Sequence, residues 1–181
     1  DISKWNLKNI KAISGLFYKC SKLSSLPDIS KWNYDELTNI ENIFYGCSSL
    51  ILLPDISIWN LKNINNLDNL FYECSSLLEI ISKWNLKNVL DISNLFNGCS
   101  SLENIPDITT WDTSQVKDMS NLFNDCSSLT SINLKEMQTD NVTDVNSMFK
   151  GCVSLTKVDI TDWNTGNITN MSNLFYCCIS L

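Results

Sequence analysis

Eight cysteines and a recurring aspartate are the residues of this 181-residue chain whose types could do chemistry. Thiolates bind zinc or pair as disulfides, and carboxylates hold cations or act in acid–base pairs. The spacing argues against most of that. Cys20, Cys47, Cys74, Cys99, Cys126, Cys152 and Cys178 come singly, 25 to 27 residues apart, so they form no Cys-x2-Cys pair for zinc. Each stands three residues after a Phe, on what should be an apolar face. Seven buried, reduced packing thiols are therefore expected. Stacked rungs would lie about 5 Å apart, so separation alone leaves disulfides open. Cys177 occupies a slot that is Gly, Glu, Asp or Lys in the other copies, and is expected to be the one accessible thiol.

Asp28, Asp55, Asp107 and Asp159 recur at matching positions, each followed two residues later by Ser30, Ser57, Thr109 or Thr161. If the copies stack, Asp28 and Asp55 come about 5 Å apart. A row of like charges that close suits a basic protein partner or a weakly held divalent cation. The row is broken at Ile80-Ile81 and at Asn133, so contact should be strongest over the first two copies. These eight residues are the candidate partner-binding set. The alternative is turn-forming carboxylates held by local amides. Tyr18, Tyr45, Tyr72 and Tyr176 follow the Phe of their copies, and would either anchor a partner or cover the seam between copies. Asn141, Asn167 and Asn170 each begin a glycosylation triplet.

Nothing in the chain assembles a catalytic set. There is no His, no Gly-rich phosphate loop and no carboxylate pair outside the recurring pattern. No enzyme, cofactor or metal site is expected. A formal net charge of -7 and the complete lack of Arg argue against nucleic acid and anionic membrane surfaces, which need cations to meet phosphate. No apolar run approaches the roughly 18 residues of a spanning helix. Hydrophobic residues at 44% suffice for a continuous core.

The elements that must position these residues are repeats. Trp5, Trp32, Trp59, Trp84, Trp111, Met137 and Trp163 fill one slot at spacings of 27, 27, 25, 27, 26 and 26, and a Cys follows each slot by fifteen residues. Self-similarity at this period marks a solenoid. In the third copy Ile64, Leu67, Leu70, Phe71 and Cys74 are spaced 3, 3, 1 and 3, which predicts a short helix stabilised by packing. Gly46, Gly98 and Gly151 would end it in left-handed conformation. Alternation over Ile132, Asn133 and Leu134 predicts a short strand with Asn133 outward, repeated as a parallel sheet. Pro27, Pro54 and Pro106 should shorten or interrupt that sheet. A polar column, Asn6, Asn33, Asn60, Asn85, Asp112, Gln138 and Asn164, follows the Trp slot and is expected to bond amides of the adjacent coil. The expected fold is α/β: a single array over residues 1–181 of about seven repeats of 25–27 residues, a short parallel strand plus a short helix in each. The array starts and stops within the pattern, which reads as a piece of a longer protein. Such an uncapped piece is expected to associate end to end or to fray.

The segment Phe-x2-Cys-x-Ser-Leu-x2-Ile-x-Leu, as in residues 123–134, resembles the BspA-like leucine-rich repeats. The version with Trp-Asp/Asn-Thr and Val-x2-Met, nearest at 111–126 and 163–178, is similar to the roughly 26-residue repeat of bacterial surface proteins and mycoplasma lipoproteins. Met137, the shortened copy at Ile80-Ile81, and Leu7, Tyr34 and Leu61 in place of the usual Thr depart from the pattern. The resemblance implies a leucine-rich-repeat-like fold and a cell-surface or secreted protein-binding or adhesion module, non-catalytic, meeting host or neighbouring-cell proteins. A structural spacer or an intracellular protein-interaction scaffold remain as alternatives.

Overall fold

The computed structural model describes residues 2–29, 31–57, 59–79, 84–105, 108 and 111–181. Coils are numbered here by their Trp slot, from coil 1 at Trp5 to coil 7 at Trp163. Each coil is stitched to the next by backbone hydrogen bonds.

The predicted helix does not form. Among the described residues the elements are a 3-10 turn, Ile2–Lys4, a further 3-10 position at Ile108, and two strands, β1 (Ser131–Asn133) and β2 (Lys157–Asp159). The stretch with the 3, 3, 1, 3 spacing is a staircase of tight turns carrying two left-handed residues per coil. In coil 3 these are Asn69 (φ 57°) and Glu73 (φ 56°), in coil 4 Asn94 and Gly98, in coil 5 Asn121 and Asp125. Left-handed residues four apart cannot belong to a right-handed helix. Gly46, Gly98 and Gly151 are left-handed as expected, but each is the second of a pair rather than a helix terminus. Asn usually holds the first position, because its short side chain tolerates that conformation.

Hydrogen bonding explains why the staircase wins. In coil 4 the amides of Leu95, Asn97 and Cys99 donate to carbonyls three residues back, at Ile92, Asn94 and Phe96. The amides of Ile92, Asn94, Phe96 and Gly98 cross to the carbonyls of Asp118, Ser120, Leu122 and Asn124, at 2.8–3.1 Å. A two-turn helix would keep its bonds to itself and be marginal. The staircase satisfies the same groups while tying coil to coil.

The sheet is also smaller than expected. Among the described residues strand pairing is confined to β1 and β2, parallel, in the register Ser131↔Lys157, Ile132↔Val158, Asn133↔Asp159. Pro27 and Pro54, lacking amide donors, occupy this region in coils 1 and 2. The Ile80-Ile81 contraction and Pro106 lie outside the described residues. A second line of contact runs seven residues after the Trp slot. There Ala12↔Asn39, Asn66↔Asp91, Asp91↔Asp118, Asp118↔Asp144 and Asp144↔Asn170 form parallel single bridges.

The core is a set of columns. Phe17, Phe44, Phe71, Phe96, Phe123, Phe149 and Phe175 stack in succession, with ring centroids 5.5–5.9 Å apart. Trp59, Trp84 and Trp111 stack at 6.2 Å. Tyr34 wedges between Trp32 and Trp59, and buried Met137 takes a Trp position without a ring. Among the described residues no helix is long and apolar enough to cross a membrane.

Candidate partner-binding face

Of the eight sequence-predicted residues, Ser30, Asp107 and Thr109 lie outside the described residues. Asp28 and Asp55 are exposed and Asp159 is half-buried. The Asp55 carboxylate accepts the Ser57 amide at 2.9 Å. The Asp159 carboxylate accepts both the amide and the hydroxyl of Thr161. Asn133, the Cα partner of Asp159, accepts the Lys135 amide in the same way. At these three coils the column builds the same turn, and either Asp or Asn can build it. The turn does not need the charge, so at exposed Asp55 the charge faces solvent. Hydrogen bonds from Ser57 and Thr161 hold Asp55 and Asp159 below the usual carboxylate range.

Beside these turns lies a feature that sequence reasoning missed. Ile51, Leu52 and Leu78 are 44%, 47% and 46% exposed. They sit on adjacent coils, joined where the Leu78 amide donates to the Ile51 carbonyl at 3.2 Å. Half-buried Leu23, Leu26 and Leu53 pack against the core from the same stretches. The positions of Ile51 and Leu78, four residues after the Cys, hold Thr130 and Thr156 in coils 5 and 6. There the Thr156 amide and hydroxyl both bond the Thr130 carbonyl at 2.9 Å. The available signal was the run Leu50-Ile51-Leu52-Leu53, where a strand with one wet face would alternate.

The tyrosines form a second feature of coils 1 to 3. Tyr18 and Tyr45 stack at 4.7 Å, Tyr45 and Tyr72 at 4.5 Å, and the Lys19 ammonium lies 5.5 Å from the Tyr18 ring. Burial raises the Tyr45 phenol above its ordinary pKa. The same slot holds buried Asn97 and Asn124 in coils 4 and 5, each donating to the Asn three residues before it. A shallow groove of about 540 Å³ runs alongside, lined by Lys19, Ser21, Gly46, Ser48, Glu73, Ser75 and Gly98.

The remaining polar columns are structural. Most side chains after the Trp slot bond the amide two residues on in their own coil, as Asn33 does to Asp35 and Asn85 to Lys87, not the adjacent coil as expected. Gln138 does reach across, accepting the Thr113 amide at 2.9 Å. The bridging column Asn66, Asp91, Asp118, Asp144 and Asn170 also forms such turns, at 2.7–3.1 Å. Among the described residues no three Cys, Asp or Glu side chains converge to hold a metal ion. The glycosylation-triplet residues Asn141, Asn167 and Asn170 use their side-chain amides to bond the preceding coil.

The thiols need one correction. Cys47, Cys74, Cys99, Cys126 and Cys152 are buried and free, and Cys177 is exposed, as expected. Cys20, in coil 1, is exposed too, and Cys178, in coil 7, is only half-buried. The buried thiols donate to the Phe carbonyl of the preceding coil, as Cys99 does to Phe71 at 3.2 Å. Burial pushes Cys47 up to about 11 and Cys152 up to about 12.

A family model described as "Mycoplasma protein of unknown function, DUF285" matches residues 1–106 and 91–181, which together span the chain. The chain belongs to this family. That agrees with the BspA-like leucine-rich-repeat resemblance carried by residues 123–134. No curated protein matches this DUF285 chain. Among solved structures it is similar to a T. pallidum leucine-rich-repeat protein, at 21% identity over 75% of this chain and 68% of that one, with a TM-score of 0.38. It is similar as well to a leucine-rich cell surface protein of Faecalibacterium prausnitzii, at 20% identity over 95% of this chain and 56% of that one, TM-score 0.38. A leucine-rich-repeat protein of Eubacterium ventriosum matches at 14% identity over 75% and 53%, TM-score 0.34. The DUF285 chain therefore spans little more than half the length of the last two.

Proposed function

We propose that this DUF285 array is a non-catalytic protein-binding module of a cell-surface protein, and that it binds through coils 1 to 3. The observation that carries the reading is the exposed cluster Ile51, Leu52 and Leu78, in the same stretch as exposed Asp28 and Asp55. Exposed apolar side chains gathered on adjacent coils and rimmed by charge mark interaction surfaces. The matching partner is a protein with an apolar centre and a basic rim. Basic residues complement the two carboxylates and the overall charge of -7. The surface location is what the family resemblance implies.

The test compares retention of cell-surface proteins by wild type, by Ile51→Ser with Leu78→Ser, and by Asp28→Asn with Asp55→Asn, at low and high salt. The reading expects the apolar pair to abolish retention and the Asn pair to weaken it mainly at low salt. Retention unchanged by both pairs but lost in Tyr45→Ala with Tyr72→Ala would move the site to the tyrosine face. No retention by any version would favour a spacer.

A further inference from the structure

The apolar cluster on coils 2 and 3 continues into carboxylates. Glu79 follows exposed Leu78 in sequence and is itself exposed. Glu103, in coil 4, holds the slot that Ile51 and Leu78 hold in coils 2 and 3, and is exposed as well. Coil 4 is stitched to coil 3 two residues earlier, where the Ser101 amide donates to the Ser75 carbonyl at 3.2 Å. The stretches 48–57, 75–79 and 100–105 that carry these residues contain no Lys, whereas the matching stretches of coils 1 and 6 contain Lys22 and Lys157. Among the described residues none of Asp55, Glu79 and Glu103 takes part in an ion pair.

The coil spacing selects what can lie along this row. Ile51, Leu78 and Glu103 occupy one slot on successive coils, so a partner running along the stack meets one of them about every 4.8 Å. A helix returns to the same face every three or four residues, a rise of about 4.5–6 Å. A strand returns every second residue, about 6.7 Å. A polyproline helix returns every third, about 9.3 Å, and would meet only alternate coils. Over two coil steps a helix drifts by about 1 Å and a strand by about 4 Å. Among its described residues this chain has no α-helix, so those residues of a second copy do not supply one.

We propose that the partner presents an amphipathic basic helix, lying along the stack over coils 2 to 4. This rests on the binding face proposed above and names what that face takes. Apolar side chains at i and i+4 of the helix cover Ile51, Leu52 and Leu78, the spacing at which docked helices place their anchors. The next residue on that face, at i+7, meets Glu103 and is Lys or Arg. Flanking basic residues meet Asp55 and Glu79. The carboxylates set the register and turn away acidic helices.

Fluorescence anisotropy on the 181-residue chain tests this with three labelled synthetic peptides. One is a Lys-rich helix former with Leu at i and i+4 and Lys at i+7. The second has the same composition in strict Leu/Lys alternation. The third carries Glu at i+7. The first should bind and gain helical circular dichroism on binding, and the alternating peptide should bind about tenfold more weakly or worse. Ile51→Ser with Leu78→Ser should weaken the first peptide by about tenfold, the scale of one lost apolar anchor. The Glu peptide should bind wild type about threefold more weakly than the first, and Glu103→Lys should reverse that preference. Equal binding of the alternating peptide, binding without gain of helix, or a preference unmoved by Glu103→Lys would each overturn the proposal. If no peptide binds while retention of cell-surface proteins still depends on Ile51 and Leu78, the helix is wrong and the face stands. If retention fails as well, the face falls with it.

Discussion

Coils 2 and 3 present Ile51 and Leu78 where coils 5 and 6 present Thr130 and Thr156, on an inner framework that is otherwise the same. In the later coils, polar side chains bond the neighbouring coil. Thr156 reaches Thr130, Asn141 reaches Ser114, and buried Thr139 both donates to the Asn164 carbonyl and accepts its amide. In the earlier coils the Thr130 and Thr156 slots hold exposed Ile51 and Leu78, and the Thr139 slot holds buried Leu7 and Leu61, whose side chains have no hydrogen bond to give. Folding is therefore met by the inward columns and the backbone staircase, and the exposed slots of Ile51 and Leu78 are free to differ. One region uses them for stitching, the other for surface.

The strongest challenge to that comparison is to remove a column both regions share. Trp84 is buried between Trp59 and Trp111, and its indole N–H donates to the Ile56 carbonyl at 3.0 Å. Trp84→Ala should cost about 3–5 kcal/mol in denaturant unfolding, as core Trp removals do. Trp5→Ala, on the exposed edge of coil 1, should cost far less; equal costs would mean that the column is not what holds the coils together.

The comparison itself is sharpened by exchanging outward groups. Thr139→Val strands the backbone groups of Asn164 and should cost about 1–3 kcal/mol. Ile51→Thr and Leu78→Thr should each change stability by no more than about 0.5 kcal/mol, the usual range for surface changes, while weakening partner retention. A large stability loss from either would make the apolar cluster part of the core.

Alkaline pH probes the thiol column that crosses both regions. An unfolded thiol ionises near 9.0, whereas Cys47 is held protonated to about 11 and Cys152 to about 12, with Cys74, Cys99 and Cys126 also raised. Between those values the unfolded chain has released protons that the folded chain still holds, so stability falls with rising pH. Urea midpoints should be level below about pH 9 and decline above it, and Cys99→Ala should shallow the decline. A flat profile to pH 11 would contradict the burial.

The smallest expected effect lies at Met137, the one buried ringless residue in the Trp slot. Amides over residues 137–142 should exchange with solvent somewhat faster than those over 84–89. Faster exchange in coil 4 would show that β1 and β2 compensate for the missing ring.

The period, the inward columns and the turn-building aspartates were legible in the chain, because burial selects residue type at a fixed spacing and needs no knowledge of partners. Asp55 and Asp159 each accept the amide two residues on, as turn-forming carboxylates would. The apolar cluster at Ile51 and Leu78 was missed because its exposure depends on which coil lies alongside. The helix was misjudged for a related reason. Apolar residues three and four apart fit a helix and a staircase of turns equally well. What separates them is the acceptor for each amide, and for Ile92, Asn94, Phe96 and Gly98 that acceptor lies 26 residues away in sequence. The sequence by itself determined which side chains face inward and how often they return. Only the tertiary structure decided the backbone path, because the hydrogen bonds that choose it form between coils.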